Sequence, residues 1–167
     1  MIPLVDIPRT IRAVQKPVRT AIEDVLASGQ YILGPNVQTL EKRLTDRLNV
    51  GDVVTVANGT DALVLALEAF EVGPGDEVIT TPFSFFATAE AIARVGATPV
   101  FVDVDPRTYN IDPRQIASAV TSKTKAIIPV HLFGQPADMA PIMRIARQNN
   151  LRVIEDAGQA FGAAYKQ

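Results

Sequence analysis

The chain has 167 residues, with 47% hydrophobic and 20% charged side chains, which is the make-up of a single soluble globular domain. Its net charge of −2 gives no basic field for nucleic acid or an anionic lipid surface. No apolar run approaches the ~18 residues needed to cross a bilayer, and zero cysteines exclude disulfides and thiolate metal sites.

The first third reads as helical, a segment covering residues 1–50. Met1–Asp6 has the character of neither a signal nor a transit peptide, so a cytoplasmic protein is expected. Ile11, Val14, Val18, Ile22 and Val25 recur at helical spacing, and Val37, Leu40, Leu44 and Leu48 do so again. Between them Ser28–Asn36 contains two breakers, Gly34-Pro35 and Gly29, and a pair of large residues, Tyr31 and Ile32, that a simple connector does not need.

From residue 51 onward short β-branched runs alternate with helical stretches. The predicted strands are Val53–Val56, Glu77–Thr80, Thr98–Val102, Ala126–Val130 and Arg152–Glu155. Helices are expected at Thr60–Phe70, Ala87–Val95, Pro113–Val120 and Asp138–Gln148. Strands that are apolar nearly throughout and separated by helices imply an α/β fold, a mostly parallel sheet covered on both faces.

In such a sheet ligands bind outside the carboxyl ends of the strands. Those ends carry Ala57–Asp61, Thr81–Phe85, Asp103–Asp105, His131–Gln135 and Asp156–Gln159. Asn58-Gly59-Thr60-Asp61 opens a helix whose Leu63, Leu65, Leu67 and Phe70 suggest burial all round. Its first-turn amides and dipole favour a phosphate-like anion, with the Thr60 hydroxyl as a further donor. A plain helix cap by Asn58 or Thr60 is the alternative. Among the three clustered phenylalanines, Phe83 and Phe86 are expected in the core, whereas Phe85 could cover a flat heteroaromatic ligand. Asp156 ends a buried strand and needs a cationic or donor partner. A protonated pyridine nitrogen, an arginine or the amides of the next loop would each serve. His131, the single histidine, has no carboxylate at informative spacing and reads as structural; no metal-ligand spacing is present.

Taken together, these segments resemble the DegT/DnrJ/EryC1/StrS family of pyridoxal-phosphate sugar aminotransferases, from Pro3 to the end. The resemblance is carried by SGQYILGP (Ser28–Pro35), NGTDAL (Asn58–Leu63), GPGDEVI (Gly73–Ile79) and PFSFFAT (Pro82–Thr88). GATPVFVDVD (Gly96–Asp105), HLFGQPADM (His131–Met139) and EDAGQAFGA (Glu155–Ala163) complete the ordered set. The family usually has alanine at position 158 and histidine or a similar residue at 161, where this chain has Gly158 and Phe161.

The resemblance implies the large domain of a fold-type-I aminotransferase, with residues 51–167 forming the first part of its cofactor-binding α/β domain. It implies pyridoxal 5′-phosphate as cofactor, and a nucleotide-linked keto sugar aminated at the expense of glutamate, within a homodimer. By position, Gly59, Thr60 and Asp61 would hold the cofactor phosphate and Phe85 would stack on its ring. Asp156 would pair with the ring nitrogen, and Gln159 with the phenolic oxygen. The Schiff-base lysine and the small C-terminal domain are expected beyond Gln167. Lys16, Lys42, Lys123, Lys125 and Lys166 all fall at unsuitable places, so this stretch alone is expected to be inactive. It is also expected to be marginal in stability, because in this fold two later strands separate the first strand from the other four. Relatives with histidine in place of the lysine act as sugar dehydratases, and a non-catalytic truncated product is a further alternative.

Overall fold

The structure, a computed structural model, describes residues 6–166, so the reading of Met1–Val5 lies outside it. The chain divides into two compact units, the second beginning at Val56.

The first unit is helical: α1 (Ile7–Arg12), α2 (Gln15–Ser28) and α3 (Pro35–Leu48). The single periodicity expected over Ile11–Val25 is cut between α1 and α2. Pro17 explains the cut. In a continuous helix its ring would meet the carbonyl of Ala13, whereas in the first turn of a new helix it is tolerated. Helix α2 stops at Gly29, whose φ of +65° supplies the left-handed cap. None of the three helices has a buried residue, and Tyr31 and Ile32 stand exposed on the connecting loop.

Val53–Val56, expected as a strand, forms none. A strand needs a hydrogen-bonded neighbour, and no described strand lies beside this run. The Glu41 carboxylate instead accepts the backbone N–H and hydroxyl of Thr55 at 2.9 and 2.8 Å.

The second unit is built on four parallel strands: β1 (Glu77–Thr80), β2 (Thr98–Phe101), β3 (Thr124–Ile127) and β4 (Arg152–Val153), in the order β2-β1-β3-β4. Helices α4 (Gly59–Ala69), α5 (Ala87–Arg94), α6 (Pro113–Ala119) and α7 (Met139–Gln148) alternate with them. The strand pleat divides the core in two. Val78, Ala126, Ile128 and Ile154 pack with Leu63 and Leu67 of α4 and Ala91 and Ile92 of α5. On the other face Ile79 and Ile127 pack with Ile116 of α6 and Ile142 and Ile145 of α7. Both faces are covered, which is why these strands are apolar without alternation. Helix α4 is less enclosed than its composition suggests: Leu63 and Leu67 are buried, but Leu65 and Phe70 are exposed.

The chain reverses direction across the sheet between β1 and β3, the topological switch of an open α/β fold. Past β3 and β4, pairing resumes in one parallel bridge, Val130–Asp156, which fixes the backbone of Asp156 at the carboxyl edge.

Candidate functional site

Asp156 is anchored before its side chain is considered. Its N–H donates to the Pro129 carbonyl and its own carbonyl accepts the His131 N–H, both at 3.0 Å. The carboxylate then takes two donors: the Thr88 hydroxyl reaches Oδ2 at 2.7 Å, and the Gly158 N–H reaches Oδ1 at 3.2 Å. Both donors come from the protein, and no arginine pairs with Asp156 among the described residues. Thr88 went unrecognised in the sequence. Its signal was positional: a hydroxyl on the same helix face as Ala91 and Ile92, both fully buried.

Gln159 is held by the neighbouring loop. The Phe133 N–H donates to its Oε1 at 3.0 Å, and among the described residues its Nε2 donates to no protein acceptor. Phe133 makes this bond from a left-handed backbone, φ +54°, followed by Gly134 at φ +90°. The loop is braced from beneath by buried Asn110, whose Oδ1 accepts the Leu132 N–H and whose Nδ2 donates to the Gln135 carbonyl, both at 3.0 Å. Asn110 also escaped the sequence reading, because its partners lie more than twenty residues away.

His131 is buried and does have an orienting carboxylate, contrary to expectation. Nδ1 accepts the Ala137 N–H at 3.1 Å, so the proton sits on Nε2 and is donated to Glu155 at 2.8 Å. This hydrogen bond holds the Glu155 carboxyl below its ordinary value against the opposing effect of burial. Both ring nitrogens are used within the protein, so the structural reading of His131 stands.

Gly59, Thr60 and Asp61 form the first turn of α4. Asn58 caps the helix, its Oδ1 accepting the Asp61 N–H at 2.9 Å while its Nδ2 donates to Asp61 Oδ2 at 3.0 Å. Asp61 also pairs with Arg94 of α5 at 3.5 Å. The capping alternative is therefore realised, and it uses the Asp61 amide. The N–H groups of Gly59 and Thr60 and the Thr60 hydroxyl have no protein acceptor among the described residues, and the space where a Cβ on Gly59 would sit is open.

Phe85 is 74% exposed, with its ring free to cover a ligand. Phe83 and Phe86, expected in the core, are exposed as well. Phe83 lies 5.8 Å from Tyr109, ring centroid to ring centroid, because β1 ends at Thr80 and both phenylalanines fall on the segment between it and α5.

Hydrogen bonds thus tie Asp156 to the helix that follows Phe85, and Gln159 to the loop after β3. No hydrogen bond or ion pair joins the first turn of α4 to Asp156 or Gln159 among the described residues. A separate open cavity of about 590 Å³ is lined by Asp105, Arg114, Gln135, Asp138, Arg144 and Tyr165, and it includes none of the six predicted cofactor residues. No group of acidic or histidine side chains suited to a metal ion occurs among the described residues, nor any helix long and apolar enough to cross a membrane.

A doubly covered parallel sheet with a carboxylate at one strand end and unpaired first-turn amides on α4 is an open α/β fold of the kind that binds ligands at its carboxyl edge. The chain belongs to the DegT/DnrJ/EryC1/StrS aminotransferase family, whose model matches residues 13–167. It is 51% identical over 98% of its length to a pleiotropic regulatory protein of Geobacillus stearothermophilus, spanning 44% of that protein. It is likewise 51% identical over 99% of its length to the UDP-2-acetamido-2-deoxy-3-oxo-D-glucuronate aminotransferase of Pseudomonas aeruginosa, spanning 46% of it. The crystal structure of NtdA from Bacillus subtilis with bound cofactor PMP superposes with a TM-score of 0.93 at 39% identity, over 96% of this chain and 37% of that one. The chain therefore spans less than half the length of these relatives.

Proposed function

We propose that this chain is the cofactor-holding part of a pyridoxal-phosphate-dependent aminotransferase that transfers an amino group, with glutamate as donor, to a nucleotide-linked keto sugar. The observation that carries the reading is Asp156: a carboxylate fixed at the carboxyl edge by backbone pairing and two side-chain donors. The residues present suit the cofactor. Gly59 and Thr60 offer free donors to its phosphate, and Asp61 would join them once Asn58 releases its amide. Phe85 is exposed and would cover the ring, Asp156 would accept the ring N–H, and the free Nε2 of Gln159 would donate to the phenolic oxygen. Held in this way, the cofactor supplies an electron sink for the charge left when a substrate C–H bond breaks.

The chain's part in that chemistry is binding and orientation. With the cofactor bound, Asp156 would keep a proton on the ring nitrogen by accepting its hydrogen bond, and Phe85 would shield one ring face from water. The lysine that must move the substrate proton is not among these groups. Lys16 and Lys42 lie on α2 and α3, Lys125 is in β3 next to Lys123 at its amino end, and Lys166 rests over the Tyr165 ring, 3.8 Å from Asp138. We assign it to another part of the protein, and expect a cytoplasmic homodimer, testable by cell fractionation and sedimentation.

The decisive experiment is titration of the full-length protein with pyridoxamine phosphate, followed by an assay with glutamate and a UDP-linked 3-keto sugar. Binding that is lost in Asp156→Ala, with amino transfer in the unmodified protein, supports the reading. Absence of binding removes it. Because one relative is described as a pleiotropic regulatory protein, a second reading is a non-catalytic regulator; cofactor binding without any amino transfer would favour it.

A further inference from the structure

We propose that Thr88 is a positioning residue for the cofactor ring: its hydroxyl sets the orientation in which the Asp156 carboxylate meets the ring nitrogen. The inference rests on the reading of Asp156 given above.

Thr88 lies in the first turn of α5 and is 2% exposed. Its face of the helix continues through Ala91 and Ile92 into the apolar core, so valine would fill the same place without a hydroxyl. A buried hydroxyl must give its proton to an acceptor, and this one gives it to Asp156 Oδ2 across 68 residues of sequence. The Gly158 N–H holds the other oxygen. With the backbone of Asp156 fixed on both sides by Pro129 and His131, these two donors leave the carboxylate one orientation.

The bond also has a second consequence. Phe85 stands three residues before Thr88, at the entry to the same helix. The Thr88–Asp156 bond therefore ties the segment bearing the stacking ring to the strand bearing the carboxylate. Those two groups must meet the same flat ligand, one at its face and one at its edge. A loss of the hydroxyl frees the carboxylate to rotate and loosens that tie, with little change in packing.

The test compares Thr88→Val, Thr88→Ser and Asp156→Ala in the full-length protein. Three quantities are measured: the Kd for pyridoxamine phosphate, the ring-nitrogen shift of the ¹⁵N-labelled compound by NMR, and the melting midpoint. Thr88→Val is expected to weaken binding on the order of tenfold, the range for a hydrogen bond to a charged group. It should also move the ring nitrogen toward its unprotonated shift, and Thr88→Ser should restore both. If Thr88→Val does not fold, Thr88→Ala takes its place in the comparison with serine. Unchanged binding and ring shift in Thr88→Val, or a serine variant no better than valine, overturns the proposal. If Asp156→Ala loses binding while Thr88→Val keeps it, only Thr88 is refuted. If Asp156→Ala binds normally, the ring-nitrogen reading falls and this proposal with it.

Discussion

Asp112 allows a stability prediction to be worked from structure to number. It caps α6, accepting the Arg114 N–H at 3.0 Å, and its two oxygens take Arg114 Nε and Nη2, each at 2.9 Å. Gln115 Nε2 adds a bond at 3.2 Å. The Arg114 hydrogen bonds, against the cost of burial, hold this carboxyl at about 2 instead of 3.8. At ~1.36 kcal/mol per pH unit, that gap amounts to at most about 2.4 kcal/mol. The Arg114 side chain is 72% exposed, so water screens the pair; about 1 kcal/mol is the fair expectation. A depressed carboxylate stabilises the fold above its unfolded value and ceases to do so as pH falls through its folded one. Asp112→Asn keeps a capping oxygen and removes the charge. At pH 7 it should lower stability by about 1 kcal/mol, a shift of roughly 0.5 M in the urea midpoint. The deficit should close as pH falls from ~4 toward ~2. Urea unfolding followed by circular dichroism at several pH values measures this. A deficit that stays constant with pH, or none at pH 7, refutes the argument.

Two further substitutions test other parts of the second unit. Ile127→Ala empties a fully buried position between β3 and the α6–α7 layer; a loss of about 2–5 kcal/mol is expected, and urea unfolding showing under ~1 kcal/mol would mean that this face is not packed as described. The hydrogen bond from His131 depresses the Glu155 carboxyl below 4.5, so its contribution is present above that value and disappears as pH drops further. Glu155→Gln, which still accepts from Nε2, should flatten the acid side of the stability profile, and an unchanged profile would show that this carboxylate is not responsible.

Much of the fold was legible because local rules set it. Alternating β-branched runs and helical periodicities gave β1, β2, β3, β4 and α4 to α7 with ends displaced by at most three residues, and the parallel, doubly covered sheet followed. The carboxyl edge was identifiable for the same reason, since a strand's direction is fixed once its connection is a helix. Where expectation failed, a non-local condition was at work. Val53–Val56 has strand composition, yet a strand exists only beside a partner. Phe83 and Phe86 have core composition, but the path of the chain after Pro82 leaves them outside.

The sequence by itself determined the family, the sheet class and the residue types offered at the strand ends, because these depend on periodicity and on motifs a few residues long. Only the tertiary structure decided how those residues are held. Thr88 on Asp156, Phe133 on Gln159 and Glu155 on His131 join positions 68, 26 and 24 residues apart. Pairs of that kind are set by the register of β3 against β4 and by the seating of α5, and no spacing along the chain encodes them.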